Sequence, residues 1–407
     1  MKGFDVVIIG GGTAGITVAA RLKRELKGLK IAIVEPSGSH YFQPSFSLVA
    51  SGLSDAKNIQ RPMSAVIPEG CDWIRDAVSL IDAEQQQVTL SGGENIRYRA
   101  LIVAPGLTLD VEAIVGLNEA LHDRRHPVCS VYDPTQLEKC SALVGQFLGG
   151  TMVFAIPSTP LKCPSAPLKM LYLTDDLLRK SGVREVTRLI FITPYSHLFG
   201  IPGFSQKINH LTRNRGIDVL FEHEVTQIDL RSQELILTAR SEAAAQRKIK
   251  SVKYDFANIT PQMRAPQFII ESNLQHAEGH FKNWLEVHPL TLQHLRYINI
   301  FGLGDVAGLP TLKTGSAARA QANIVAQNVV SLFRKGAQVP LPAQYNGYSC
   351  CPIFTEVGQA MHPEIGYDGK LLPSFYGDPF STSRTLWHFN KTLMPILYWN
   401  LMLKGRL

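Results

Sequence analysis

The alternation of apolar and polar positions divides the chain into strand and helix units. Phe4-Asp-Val-Val-Ile-Ile9 is an apolar run of strand length, and after three glycines Ile16 to about Leu26 carries apolar residues at helical spacing. Lys30-Ile-Ala-Ile-Val34 is a second strand. Gln87-Val-Thr-Leu90 and Tyr98 to Ala104 flank a Ser91-Gly-Gly93 turn and predict a hairpin that ends in Pro105-Gly106. The pattern restarts near residue 115, with a helix over Pro134 to Leu148 and a buried strand over Thr151 to Ile156. A helix over Leu168 to Arg179 and a strand over Arg188 to Ile192 follow. Residues 217–260 read as strands with an Ala-rich, basic hairpin tip near 241–250, and Thr260-Pro-Gln-Met263 leads back towards the first unit. Tyr297 to Phe301 is a strand, Ala317 to about Phe333 a long helix, and Thr355 to Gly366 a strand and hairpin.

Strands alternating with helices predict an α/β protein with parallel sheets, here two Rossmann-like units in succession. The expected division is a discontinuous first domain (1–115 and 281–335), a second domain (116–280) and a C-terminal region (336–407). With 407 residues, 45% of them hydrophobic and 18% charged, the chain is long enough and apolar enough for such a core. The net charge of +7 is spread without a block of like charges, which suits an anionic membrane surface or anionic substrate and gives no footprint for nucleic acid. Six cysteines show neither Cys-x-x-Cys nor the spacing of a zinc site, so no metal is expected. With a strand beginning at Phe4, no signal segment is expected. The expected compartment is therefore cytoplasmic, where a disulfide is more often redox-active than structural.

The strongest motif is Gly10-Gly-Gly12-Thr13-Ala14-Gly15 between the first strand and its helix, with Glu35 ending the second strand. Gly10 permits the tight turn, Gly12 lets the backbone approach a pyrophosphate, and Gly15 lets helix and strand pack closely. Glu35 is placed to accept from a ribose hydroxyl and disfavours a 2′-phosphate, so the cofactor is FAD or NAD. Gln43, in the His40-Tyr-Phe-Gln-Pro44 loop, would lie over the cofactor, and Ala104-Pro105-Gly106 forms a second small-residue turn beside it. Gly304-Asp305 ends a later strand, and Lys313 opens the long helix. There a lysine is either a partner for the electron-rich edge of a reduced cofactor or an ordinary surface residue. The second unit carries no matching glycine fingerprint: Ile156-Pro-Ser-Thr-Pro-Leu-Lys-Cys163 stands in its place, and prolines supply no N–H donors. A nicotinamide site is not expected in that unit.

Cys163 falls at a strand-to-helix crossing, with Pro164 or Pro167 suited to the first helical turn. The helix N-terminus and Lys162 favour a thiolate there. Cys350-Cys351-Pro352 supplies two further thiols that cannot readily bridge each other, and one of them can bridge to a distant partner. His197 and His223 are read as loop or core residues before catalysts. The tail, Leu386 to Leu407, is rich in aromatic and apolar residues, but its longest apolar run is interrupted by Pro395 and Asn400. It is too short to cross a bilayer and reads as an amphipathic helix pair lying in a membrane interface, with Trp387, Tyr398, Trp399, Lys391, Lys404 and Arg406 as anchors.

Together these segments resemble the sulfide:quinone oxidoreductases, in the branch that includes the mitochondrial enzyme. The resemblance runs nearly end to end. It rests on Gly10 to Gly15 with Glu35, Tyr41-Phe-Gln-Pro44, Pro160-Leu-Lys-Cys163 with Ala166-Pro167, and Gly304-Asp305. Pro310 to Thr314, Tyr345-x-Gly-Tyr348 with Cys351-Pro352, and Leu393 to Asn400 complete it. It implies an FAD enzyme in which Cys163 and Cys351 form the redox disulfide, the persulfide is carried on Cys351, and Cys163 is the flavin-facing thiolate. It further implies a sulfur acceptor such as sulfite, a thiol or sulfide, and ubiquinone or menaquinone as oxidant. The expected location is peripheral, at the cytoplasmic face of a bacterial inner membrane, with a homo-oligomer possible in principle. Cys350 has no counterpart in the family pattern, and Cys129 is not expected to tether FAD. Rival readings are a type II NADH:quinone dehydrogenase, a flavocytochrome c sulfide dehydrogenase subunit, and a non-catalytic flavin-binding or membrane-docking protein.

Overall fold

A computed structural model describes residues 2–246 and 248–407. Two sheets built on parallel central strands carry the chain, and those strands are continuous, buried apolar runs. In the first, β1 (Lys2–Ile9) lies between β2 (Ile31–Val34) and β3 (Asn95–Val103), all parallel, with Val6 opposite both Ile31 and Ala100. Cys71–Ile74 extends the sheet beyond β2, and Ile300–Gly302 joins it alongside the far half of β3. The hairpin Val78–Asp82 with Gln87–Leu90 closes its other edge. The helix α1 (Thr13–Glu25) follows β1 directly. A Cβ at position 15 would meet the Gly10 carbonyl oxygen at 2.0 Å, so only glycine permits this close return of helix onto turn.

The second sheet is all parallel, in the order Val128–Cys129, Phe256–Ile259, Gly150–Ala155, Thr187–Thr193, Asp218–Phe221. The strand Gly150–Ala155, here β4, stands near its centre and hands the chain to the Cys163 loop and then to α2 (Ala166–Lys180). A two-stranded ribbon of Thr108–Asp110 and Gln262–Arg264 carries the two crossings between the sheets.

Several boundaries differ from the sequence pattern for local reasons. Asp133 accepts from the Thr135 N–H at 2.9 Å and ties Pro134 into a turn, so the helix expected from Pro134 runs only over Leu137–Gly145. The alanines at the expected hairpin tip form a short helix, Glu242–Gln246, in keeping with alanine's helix propensity. Tyr297 is spent on a turn whose carbonyl accepts from Ile300, which leaves a strand of three residues. The long helix α3 runs Gly315–Lys335, starting earlier than expected because the Thr314 hydroxyl accepts from Ala317 N and caps it.

The tail needs a correction. It folds as α4 (Arg384–His388), a π-helical turn over Phe389–Leu393, α5 (Met394–Asn400) and a last 3₁₀ turn at Met402–Lys404. Trp387 and Tyr398, expected at a membrane interface, are buried in the protein, as are Met402 and Leu403 against α1. Gly405 makes the docking possible, since a Cβ there would fall 2.8 Å from Arg21 N. Leu393 and Ile396 remain exposed on the outer side, at 44% and 53%. Among the described residues no helix is long and apolar enough to cross a membrane.

Candidate active site

The loop after β1 opens onto a cavity of about 610 Å³. Gly12, Thr13 and Ala14 line one end, and the space around a Cβ at Gly12 is empty, so a ligand can lie against that backbone. Gly10 holds φ at +101° directly behind, close against the Ala104 carbonyl. Glu35 also lines the cavity, its carboxylate accepting from Gly11 N at 2.8 Å and Ser37 N at 2.7 Å. Gln43, Ala104, Pro105 and Gly106 form a second stretch of wall, and Gly304, Asp305 and Lys313 a third. Gly304, at φ +77°, turns its N–H onto Gln321 Oε1 at 2.8 Å. A cavity that joins a glycine turn, a helix N-terminus and a strand-terminal carboxylate fits a flavin dinucleotide.

Lys313 is no surface residue. Its ammonium is buried, donates to the Asp305 and Ala307 carbonyls at 2.6 and 2.8 Å, and lies 4.0 Å from the centre of the Trp284 ring. Burial lowers its pKa to about 8, against the opposing pull of Asp305. The Asp305 carboxyl is raised by its own burial, with Lys162 and Lys313 pulling the other way.

Cys163 reaches the same cavity from the second sheet. It holds φ at +44°, a left-handed conformation that costs a non-glycine residue about 1–3 kcal/mol. Three hydrogen bonds impose it: Cys163 N donates to the Lys313 carbonyl at 2.7 Å, and the Cys163 carbonyl accepts from Ala166 N at 2.9 Å and Tyr132 Oη at 3.0 Å. The loop is thereby pinned to the segment preceding α3, and the side chain is aimed rather than left to a rotamer choice.

Cys351 Sγ lies 3.3 Å from Cys163 Sγ, the two not bonded to each other. The sulfurs differ in their surroundings. Lys169, one turn into α2 and almost wholly buried, places Nζ 3.4 Å from Cys163 Sγ. Ser165 Oγ is 2.8 Å from Cys351 Sγ and donates to the Pro352 carbonyl at 2.9 Å. The hydrogen bond from Cys351 and then the Lys169 ammonium bring the Cys163 thiol down to about 5, although burial opposes them. Burial drives the Cys351 thiol well above the ordinary range, and the neighbouring Cys163 sulfur adds to it. Burial works against the charge on Lys169, but the two sulfurs more than offset it and its pKa is raised. Cys163 is the thiolate of the pair and Cys351 the thiol. Cys350 lines the cavity, but among the described residues its sulfur makes no hydrogen bond to either of them; its backbone is held by Ser316 Oγ.

The sequence reading missed Lys169 and Ser165. A lysine in a helical stretch of otherwise buried positions was the available signal for the first. It also missed a buried clasp between the tail and the glycine loop. Tyr398 Oη bonds His40 Nε2 at 2.6 Å and Thr13 Oγ1 at 2.7 Å, while His40 Nδ1 bonds the Gly11 carbonyl at 2.9 Å. His197 and His223 lie outside the cavity wall; His223 is buried against the Phe221 carbonyl and His197 stacks on Tyr195. At the end of β4 the place of a second phosphate loop is taken by a carboxylate. Glu224 Oε1 accepts from Ser158 N and Ser158 Oγ at 2.9 and 3.1 Å.

Residues 4–145 match the pyridine nucleotide-disulphide oxidoreductase family. The mitochondrial sulfide:quinone oxidoreductase of Mus musculus is 33% identical over 402 residues, covering 99% of this chain and 87% of the relative. That of Dictyostelium discoideum is 34% identical, covering 98% and 86%. The crystal structure of the Aquifex aeolicus sulfide:quinone oxidoreductase superposes with a TM-score of 0.81 at 21% identity, covering 100% of this chain and 92% of that one, and shows the same fold. With such identity sustained along nearly all of both chains, this chain belongs to the sulfide:quinone oxidoreductase family.

Proposed function

We propose that the chain oxidises sulfide at the Cys163–Cys351 pair, with FAD in the cavity beside it and a membrane quinone as final oxidant. The observation that carries this reading is the 3.3 Å sulfur pair, one member of which lines the cavity that begins at the glycine turn. Bound FAD supplies a two-electron acceptor that quinone can reoxidise; the chain's own residues perform the sulfur chemistry. Gly12, Thr13 and Ala14 hold the pyrophosphate, Glu35 the adenosine ribose, and Asp305 the ribitol. Gln43 and the Ala104–Gly106 turn support the remainder. Lys313 sets a positive charge in the wall.

In the oxidised state Cys163 and Cys351 form a disulfide. Hydrosulfide attacks the Cys351 sulfur, the S–S bond breaks, and the electron pair leaves on Cys163, where Lys169 stabilises it. Cys351 then carries a persulfide. A nucleophile, whether sulfite, a thiol or a second sulfide, takes the sulfane sulfur and leaves Cys351 as a thiolate. Loss of two electrons from the two thiolates closes the disulfide again. The low pKa of Cys163 makes it the better leaving group, because leaving ability follows the stability of the thiolate. Cys351 has no exposed surface, so access favours a nucleophile as small as hydrosulfide.

The apolar stretch of wall formed by Phe375, Phe389, Met394 and Leu397 suits a quinone ring arriving from a lipid surface, and exposed Leu393 and Ile396 on the same segment suit contact with that surface. The net charge of +7 favours an anionic membrane, on a cytoplasmic face. We further assign residues 1–115 with 281–335 to the FAD domain, 116–280 to the domain carrying Cys163, and 336–407 to the region carrying Cys351 and the membrane contact.

The test is anaerobic titration of the flavin-loaded protein with sulfide. Wild type should bleach the flavin band with two equivalents, the second taking the sulfane sulfur from Cys351, Cys163→Ser and Cys351→Ser should not, and Cys350→Ser should stay within a few-fold of wild type. Mass spectrometry after trapping should find the added sulfur on Cys351. Bleaching in either single serine variant would end this reading, and a persulfide on Cys163 would reverse its polarity.

A further inference from the structure

At the apolar end of the cavity stands a histidine that the chemistry above does not use. His362 is 7% exposed, lines the cavity, and stands in a box of aromatic rings. The Phe375 and Phe389 ring centres lie 5.5 and 5.9 Å from its own, both edge-on, and 5.2 Å from each other. Its Nε2 is bonded to Asn390 Nδ2, and the same amide nitrogen donates to the Leu386 carbonyl at 2.6 Å. That second bond settles the proton. A carbonyl can only accept, so the Asn390 atom facing Leu386 must be the NH₂ group. The same NH₂ group donates to His362 Nε2, which must then be the bare nitrogen, leaving the hydrogen on Nδ1. Nδ1 has no hydrogen-bond partner among the described residues, yet it is absent from the polar atoms that are both sealed from solvent and unpaired, so it opens onto free space. The π-helical turn Phe389–Leu393 brings Asn390 and Phe389 to this point together, and such turns are frequent at functional sites.

We propose that His362 is the hydrogen-bond donor to a quinone carbonyl, with Asn390 as the positioning residue that keeps its hydrogen on Nδ1. This rests on the quinone pocket proposed above. A quinone offers carbonyl oxygens at the edge of an apolar ring, and the site offers the His362 Nδ1–H between the Phe375 and Phe389 rings. The ring stays neutral, since burial holds the His362 pKa to about 4 and Lys169 adds to that, against the pull of Glu364. A neutral donor orients the carbonyl without delivering its proton.

The experiment uses the flavin-loaded protein with a short-chain ubiquinone analogue. His362→Leu should raise the KM for this quinone about tenfold, the loss expected for one hydrogen bond in an apolar site, while sulfide still bleaches the flavin at the wild-type rate. His362→Gln, which restores a donor, should recover part of the loss. Asn390→Leu should raise the KM similarly in the wild-type background and add nothing to His362→Leu, a non-additivity that mere destabilisation would not produce. An unchanged quinone KM in His362→Leu overturns the proposal, and so does an equal slowing of the sulfide half-reaction. Leu397→Trp, which narrows the pocket, separates the two readings. If it raises the quinone KM and His362→Leu does not, the donor assignment fails; if neither does, the pocket assignment fails.

Discussion

Replacing Lys169 with methionine removes the ammonium 3.4 Å from Cys163 Sγ while keeping most of the side-chain volume. Two unit charges at that separation attract by roughly 5 kcal/mol at an effective dielectric of about 20, which corresponds to a pKa change of about 3 to 4. Water entering beside the shorter side chain will recover part of this, and the hydrogen bond from Cys351 remains. The Cys163 thiol, at about 5 in the wild type, is therefore expected to rise by at least about 2, to roughly 7 or above. At pH 7 the reduced wild type holds almost all of Cys163 as thiolate, and the variant at most about half. The assay is the pH dependence of iodoacetamide alkylation of Cys163 in the reduced protein, followed by peptide mass spectrometry, with thiolate absorbance near 240 nm as a check. Sulfide-driven flavin reduction at pH 7 should fall about tenfold or more, because the leaving group is poorer. The variant should still fold, since Cys163 takes up a proton when its partner charge is lost and no unpaired buried ion remains. A folded variant whose alkylation midpoint stays near 5 would refute the reasoning and leave the Cys351 hydrogen bond as the sole cause of the low value.

NADH should not bleach the flavin on the time scale of seconds, because Glu224 occupies the Ser158 N–H where a second pyrophosphate would bind; rapid bleaching by NADH alone would contradict this. Tyr398→Phe leaves His40 Nε2 buried without a partner, and about 1–3 kcal/mol of stability should be lost. Thermal melting and flavin retention on dilution both read this, and an unchanged melting temperature would count against the clasp. Deleting the chain from Leu386 should accordingly cost flavin as well as membrane affinity, so the tail is not a detachable anchor. Leu393→Glu with Ile396→Glu should instead release the protein from anionic vesicles and leave sulfide-driven flavin reduction within twofold; a double variant that still pellets with vesicles would show that another face binds.

The first parallel sheet, its glycine turn and Glu35 were legible because each depends on residues close in sequence. An apolar run long enough for a strand, glycines where backbones crowd, and an acid at the next strand's end state their own geometry. The absence of a second fingerprint was legible for the same reason, since proline removes donors wherever it stands. Cys163 beside a helix N-terminus could be read from strand, prolines and helix in order, and its pairing with Cys351 followed only from resemblance to a family.

The tertiary structure decided what depends on residues far apart in sequence. Tyr398 and Trp387 carry the composition of interface anchors, but Thr13 of α1 and the loop at His40 bury the first and Phe354 packs on the second, and nothing in the tail's own sequence records those partners. Cys163 and Cys351 lie 188 positions apart, and which of them is the thiolate is set by the hydrogen bond and the Lys169 charge that reach Cys163 and by the burial of Cys351. Cys350 and Cys351 are the same residue type in adjacent positions; only the pairing of Ser349–Cys350 with Glu364–Ile365 and the bond to Ser316 decides which sulfur faces Cys163. Sequence pattern carries local periodicity and backbone permission. Electrostatic identity is a property of what packs within a few ångströms, and only the folded chain brings those charges together.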